Sequence, residues 1–196
     1  MGYNMFSDYQ SLESGTKGAP AKANRSIPDR VKEYGILNYV NKDSVVLDLG
    51  CNRGFFGIYL SPYISHYVGI DSDGNQIQHG VNECIYKGIS NVNYSNIDYS
   101  LKMSGKYDII LCFAFHIYVG VSMVDFAKHL INMLNPNGHL FLEGHPKGYH
   151  LPNSTINEPE GYWNPLTSCL FTSLEVISTK NVRDRELIRP FIHYRK

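Results

Sequence analysis

The sequence predicts an α/β fold, with a mostly parallel, doubly wound sheet and helices on both faces. Three observations lead there. Short apolar, β-branched or aromatic runs alternate with stretches of helical periodicity through the middle of the chain, which is the order that builds parallel strands joined by crossover helices. Val45–Leu49 runs directly into the turn Gly50-Cys51-Asn52-Arg53-Gly54 and then into a helical stretch, the strand, loop and helix order of a nucleotide-binding crossover. Lys106–Phe113 is almost continuously apolar, as a central strand covered on both faces requires.

In chain order, residues 1–26 are polar, with Tyr3, Phe6, Tyr9 and Leu12 as their sizeable apolar side chains. Ser26 is placed to cap a helix over Ile27–Val40, with Pro28 in its first turn. A strand at Ser44–Leu49 is followed by a helix from about Arg53 to Leu60, stopped near Pro62. Tyr67–Ile70 is the next strand, closed by Asp71. Asn75–Tyr86 reads as a helix ended by Lys87-Gly88. Val92–Ile97 and Lys106–Phe113 supply two more strands. Met123, Phe126, Ala127, Leu130 and Leu134 recur at helical spacing. Asn135-Pro136-Asn137-Gly138 breaks that helix, and a strand follows at His139–Glu143. Residues 144–165 are Gly- and Pro-rich and read as a long irregular connection with a helical turn after it at Leu166–Leu170. Leu174–Thr179 and Arg189–Tyr194 read as strand, turn, strand.

Bulk properties narrow the function classes. The 196 residues suit one domain with small additions. Lys plus Arg and Asp plus Glu are both 18, and a balanced charge counts against a general polyanion binder. Cys51, Cys84, Cys112 and Cys169 are scattered without C-x-x-C spacing, so free thiols in a reducing compartment are expected, with no zinc site. With no signal peptide and no apolar run near 18 residues, the expected location is cytoplasmic.

The glycine turn lacks the G-x-G-x-x-G dinucleotide pattern. Its spacing, Asp48-x-Gly50-x-Asn52-x-Gly54, resembles motif I of the class I S-adenosylmethionine-dependent methyltransferases, with Asn52 in the place of the middle glycine. Three further stretches match in the same order. They are Asp71 at a strand end, Tyr107-Asp108 before a hydrophobic strand, and Leu134–Glu143 with its Leu-Asn-Pro-Asn-Gly approach to a strand. Together they cover roughly residues 40–145, and the agreement of four ordered positions is far more specific than any one of them. Gly50–Phe56, Phe115-His116-Ile117 and Arg189-Pro190-Phe191 are similar to methyltransferase domains that modify bacterial polysaccharide chain ends. The resemblance implies a seven-stranded sheet whose last strand is antiparallel, a lid or helix segment at 1–43 and a cofactor-binding domain at 44–196.

What the resemblance implies about residues is specific. Asp48, Gly50, Cys51, Asn52, Gly54 and Phe55 would form the cofactor turn, and Asp71 with Ser72 would take the ribose hydroxyls, which a carboxylate accepts as a pair. Asp98 would take the adenine amine, with Tyr99 or Ile97 against the ring and Phe113 at the end of the central strand. Tyr9, Arg25 and Arg30 are candidates for the methionine carboxylate or the substrate. His116, at the carboxyl end of the fourth strand, is the candidate general base, since its unperturbed pKa suits proton removal near neutrality. Glu143 and His145 lie at the matching end of the fifth. The expected activity is methyl transfer to a hydroxyl of a small molecule or sugar, with an RNA or protein methyltransferase and a non-catalytic cofactor-binding module as alternatives. A metal held by Glu143, His145 and His150 is rejected for want of a tight ligand motif.

Overall fold

The computed structural model describes residues 10–11, 25–146, 149, 161–184 and 187–196. A two-residue parallel pair, β1 (Gln10–Ser11) and β2 (Arg25–Ser26), precedes helix α1 (Ile27–Tyr34). The Ser26 hydroxyl caps α1 by accepting from the Asp29 amide at 3.3 Å. The helix stops earlier than its periodicity indicated: Gly35 adopts φ +70° and ends it, and Ile36–Asn38 forms a separate 3₁₀ turn.

Then come β3 (Val45–Leu49), α2 (Phe55–Leu60), β4 (His66–Asp71), α3 (Gly74–Lys87), β5 (Val92–Asn96), β6 (Tyr107–Phe113), α4 (Met123–Met133), β7 (Leu134–Glu143), α5 (Trp163–Phe171), β8 (Glu175–Asp184) and β9 (Leu187–Arg195). Seven strands form one sheet in the order β5-β4-β3-β6-β7-β9-β8. Neighbours from β5 to β7 are parallel, and β9 runs antiparallel to both β7 and β8. The sheet reverses direction of assembly between β3 and β6, so the carboxyl ends of these two strands flank the crevice where open α/β sheets bind ligands.

Alternation along the central strands sends side chains to two cores. Leu47, Leu49, Ile110, Leu140 and Leu142 meet Phe126, Leu130, Leu166 and Leu170 of α4 and α5. Val46, Tyr67, Ile109, Leu111 and Phe141 meet Ile27, Tyr34, Phe56, Leu60 and Cys84 of α1, α2 and α3. Helix α1 is therefore built into the core. The Asn135–Gly138 breaker survives as an irregularity inside β7, with Asn137 at φ +61° and a register shift between Tyr107 and Ile109 opposite it. Asp108 lies at the amino end of β6, where its carboxylate accepts from the Val45 amide at 2.8 Å and from Asn135 Nδ2 at 2.7 Å. It ties strand starts together at the end of the sheet opposite the crevice. Cys51, Cys84 and Cys112 are buried free thiols and Cys169 is half-buried. Among the described residues no helix is long and apolar enough to cross a membrane.

Candidate active site

The turn after β3 alternates left-handed positions: Gly50 at φ +72°, Asn52 at +53° and Gly54 at +68°. Asparagine tolerates this region better than other side-chain-bearing residues, so Asn52 reproduces the backbone of the glycine it stands in for. The amide hydrogens are spent within the turn and on the adjacent strand. Gly50 and Cys51 donate to the Ile70 carbonyl, both at 2.9 Å, Gly54 donates to the Cys51 carbonyl, and Arg53 donates to Asn52 Oδ1. Asn52 donates to Asp71 Oδ2 at 2.8 Å. A phosphate-binding loop keeps such donors free for its anion. This turn does not, which suits a ligand that brings a sulfonium cation and a ribose in place of phosphates. A side chain at Gly50 would come within 2.6 Å of the Phe115 ring, which lies directly over the turn.

Several glycines here serve a side chain that sequence reasoning missed. Tyr94 of β5 reaches under the turn and donates its hydroxyl to the Gly54 carbonyl at 2.5 Å. A methyl group at Gly54, Gly57 or Gly69 would strike Tyr94 at 2.1, 2.9 or 2.8 Å, and one at Gly80 would lie 2.7 Å from the Arg53 carbonyl oxygen and 3.0 Å from the Tyr94 ring. The four glycines thus let the ring seat between α2, α3 and the sheet. No periodicity signals this, because the positions span 27 residues on four different segments.

Asp48 and Asp71 differ sharply. Asp48 is buried on the α1–α2 face beneath the turn, and its partner is the Tyr67 hydroxyl. Burial pushes its carboxyl up to about 7, against lowering by the Tyr67 bond and the Arg30 charge. Asp71 is half-buried at the tip of β4, with Oδ2 on the Asn52 amide and Oδ1 on the Asp73 amide at 2.9 Å. Each of its oxygens keeps a second lone pair for an outside donor. Ser72 and Asp98 are exposed, and Phe55 begins α2 beside the turn. Tyr99 stacks edge-on against Phe115 and Phe126. Its hydroxyl is 2.5 Å from His129 Nδ1, and His129 Nε2 is 2.8 Å from the Met103 carbonyl. A carbonyl only accepts, so His129 carries its hydrogen on Nε2 and Tyr99 donates to Nδ1.

Across the crevice, the carboxyl ends of β6 and β7 bring His116, Glu143 and His145 together. His116 is fully buried in the 3₁₀ turn His116–Tyr118, with its ring centroid 5.7 Å from that of His145 and 5.7 Å from that of Trp163. Ala114, just before it, holds φ +55°, an unusual conformation for alanine that is pinned from both sides. Its amide donates to the Glu143 carbonyl at 2.8 Å, and its carbonyl accepts from His145 Nε2 at 2.7 Å. Glu143 is fully buried and committed. The Tyr34 hydroxyl and Arg30 Nη2, at 3.3 Å, bind Oε2, while Arg189 lies 3.7 Å from Oε1 and pairs in turn with Asp184 at 2.8 Å. Arg30 itself is packed among Phe56, Phe113 and Tyr34, 4.8 to 5.4 Å from their ring centroids. Glu143 is a clasp joining α1 to the β8–β9 hairpin across 113 and 46 residues of sequence, and no local pattern announced it. Tyr9, His150 and the side chain of Arg25 lie outside the described residues.

A family model described as a methyltransferase domain matches residues 21–167. The chain belongs to the methyltransferase-domain family. S-adenosylmethionine is the cofactor of this methyltransferase domain. A probable mRNA-capping enzyme of Acanthamoeba polyphaga mimivirus is 28% identical to the methyltransferase over 157 residues, covering 60% of this chain and 13% of the viral protein. Among solved structures, the [4+2]-cyclase SpnF superposes with TM-score 0.69 at 17% identity, over 94% of this chain and 86% of its own. The N-methyltransferase NodS of Bradyrhizobium japonicum WM9 gives 0.66 at 17% identity over 86% and 97%, and has also been solved with S-adenosylhomocysteine. Magnesium protoporphyrin IX methyltransferase of Synechocystis PCC 6803, with the cofactor bound, gives 0.66 at 15% identity over 87% and 77%. These identities carry the fold, and the fold alone hosts a cyclase as well as methyltransferases.

Proposed function

We propose that this domain transfers a methyl group from S-adenosylmethionine to a hydroxyl of a small molecule or sugar, with residues 44–196 as the catalytic unit. The observation that carries the reading is the pairing of the phosphate-averse turn at Gly50–Gly54 with two buried imidazoles, His116 and His145, on the other side of the same crevice. When bound, the cofactor supplies a methyl group already activated on sulfonium, so the protein's task is alignment and proton removal.

In this reading Gly50, Cys51, Asn52, Gly54 and Phe55 support the cofactor, and Asp71 accepts the ribose hydroxyls with Ser72 beside it. Asp98 meets the adenine amine, and Tyr99 and Phe113 line the pocket. Asp48 steadies the turn from beneath through Tyr67. His116 takes the proton of the attacking hydroxyl. Glu143 holds the carboxyl ends of β6 and β7 in place, because its carboxylate already faces two arginines, and His145 completes the acceptor side.

A second reading has one observation behind it: the viral relative is a probable mRNA-capping enzyme, which favours an RNA acceptor against the balanced charge of the chain. Radiolabelled cofactor offered with a panel of sugars, phenols and alcohols, and separately with uncapped and capped RNA, separates the two. Label in the small molecules, lost in His116→Ala, supports the first reading, whereas label in RNA alone overturns it.

A further inference from the structure

His145 presents an unanswered hydrogen-bonding atom. The side chain is more than nine-tenths buried, at 6% exposure, and among the described residues Nδ1 has no hydrogen-bond partner. Its tautomer follows from the other nitrogen: Nε2 lies 2.7 Å from the Ala114 carbonyl, which only accepts, so Nε2 carries the hydrogen. A neutral imidazole then leaves a bare lone pair on Nδ1.

The surroundings hold it neutral. Burial, then the nearby His116 and Arg189, press its pKa down to about 3, outweighing the Ala114 bond and the Glu143 carboxylate. Arg189 comes from β9 and Glu143 from β7, while His116 belongs to the turn after β6. Two tyrosine rings flank it among the described residues. Tyr149 stacks flat on His145, with centroids 4.2 Å apart and planes at 18°, and Tyr118 stands edge-on at 5.9 Å. The two tyrosine hydroxyls bond each other at 2.9 Å. The Nδ1 lone pair lies in the ring plane, so a ring stacked on its face leaves it unsatisfied. Buried acceptors without donors are costly and rare, and one beside a reaction crevice points to a donor brought by a ligand.

We infer that His145 is a specificity-determining residue whose Nδ1 receives the hydrogen of the incoming nucleophile, so that the methyl acceptor offers an O–H or N–H group and not a thiolate or carboxylate. This rests on the methyl-transfer reading above. An anionic nucleophile would set its own lone pairs against that of Nδ1, whereas a hydroxyl or amine places its hydrogen there and turns a remaining lone pair toward the methyl carbon. His145 accepts this hydrogen bond without taking the proton. The nucleophile's pair forms the new bond to carbon, the pair of the broken sulfur–carbon bond returns to sulfur, and the proton, made acidic on the newly methylated atom, then leaves the Nδ1 hydrogen bond for His116, whose ring centroid lies 5.7 Å from that of His145.

The test is a long-range nitrogen–proton NMR spectrum of the uniformly labelled full chain saturated with S-adenosylhomocysteine, with His145 assigned by its loss in His145→Asn. The expected result is a neutral ring protonated on Nε2 from pH 5.5 to 8. A ring protonated on Nδ1, or one that titrates within that range, overturns the inference. Calorimetry on the same sample tells the two proposals apart, since failure to bind S-adenosylhomocysteine or S-adenosylmethionine defeats the methyl-transfer reading whatever the tautomer. With a matched panel of alcohols, amines, thiols and carboxylates, label is expected only in the first two. His145→Phe should remove that transfer while cofactor affinity stays within about twofold; label appearing in thiols or carboxylates at comparable rates overturns the inference.

Discussion

Gly80→Ala sets two physical effects against each other with opposite signs. Gly80 lies inside α3, and replacing an interior helical glycine with alanine ordinarily stabilises by about 0.8–1.0 kcal/mol. Here the added methyl would sit 2.7 Å from the Arg53 carbonyl oxygen and 3.0 Å from the Tyr94 ring. The first contact is backbone, in the turn that presents Asn52 and Gly54, and cannot rotate away. Forcing a methyl into such a space costs about 1–3 kcal/mol through backbone shifts. The expected net effect is destabilisation by about 0–2 kcal/mol in urea denaturation, together with weaker S-adenosylmethionine binding, because the displaced atoms belong to the turn proposed to hold the cofactor. Gly88→Ala is the control. Gly88 has φ +66° and nothing within 4 Å of a new methyl, so it should lose about 1 kcal/mol from backbone strain alone and leave affinity unchanged. If Gly80→Ala gains about 1 kcal/mol and binds the cofactor normally, the argument that Gly80 seats the turn is wrong.

Two further outcomes follow from the buried charges. The Asp48 carboxyl is raised from 3.8 to about 7 in the folded chain, so between those values the native state holds a proton that the unfolded state has released, and stability falls as pH rises from about 4 to 7. The gap corresponds to at most about 4 kcal/mol, and thermal melts of Asp48→Asn should show a flatter pH profile than the parent; parallel profiles would count against the assignment. Glu143→Ala leaves Arg30 and Arg189 facing each other's charge without their shared carboxylate, and should destabilise by about 3–5 kcal/mol. A loss below about 1 kcal/mol by chemical denaturation would show that the clasp is not an anchor.

The succession of strands and helices was legible because each crossover repeats an apolar run, a turn signal and a helical pattern, and because Asp48, Gly50, Gly54 and Asp71 keep a spacing set by adjacent parallel strands. Asn52 was legible too, since its φ of +53° is one that asparagine accepts. What escaped depends on contacts distant in sequence. The shared role of the glycines at 54, 57, 69 and 80 shows only once Tyr94 is seen filling the space they leave. Glu143 read as a possible reactive group because sequence cannot show Arg30, Tyr34 and Arg189 converging on it from α1 and β9. Three of the turn's amide hydrogens are consumed by Ile70 and Asp71 one strand away, a pairing that nothing inside the turn's own sequence announces. The early end of α1 was available in the sequence as Gly35 and was outweighed by the apolar spacing beyond it.

The most direct measurement is isothermal titration of S-adenosylmethionine into the parent chain and into Asp71→Ala. The account predicts saturable binding at one site, weakened about 10- to 100-fold in the variant, as expected for losing hydrogen bonds from a charged acceptor to the ribose. Absence of binding at high micromolar cofactor, or an affinity untouched by Asp71→Ala, would contradict the assignment of the Gly50–Asp71 crevice as the cofactor site.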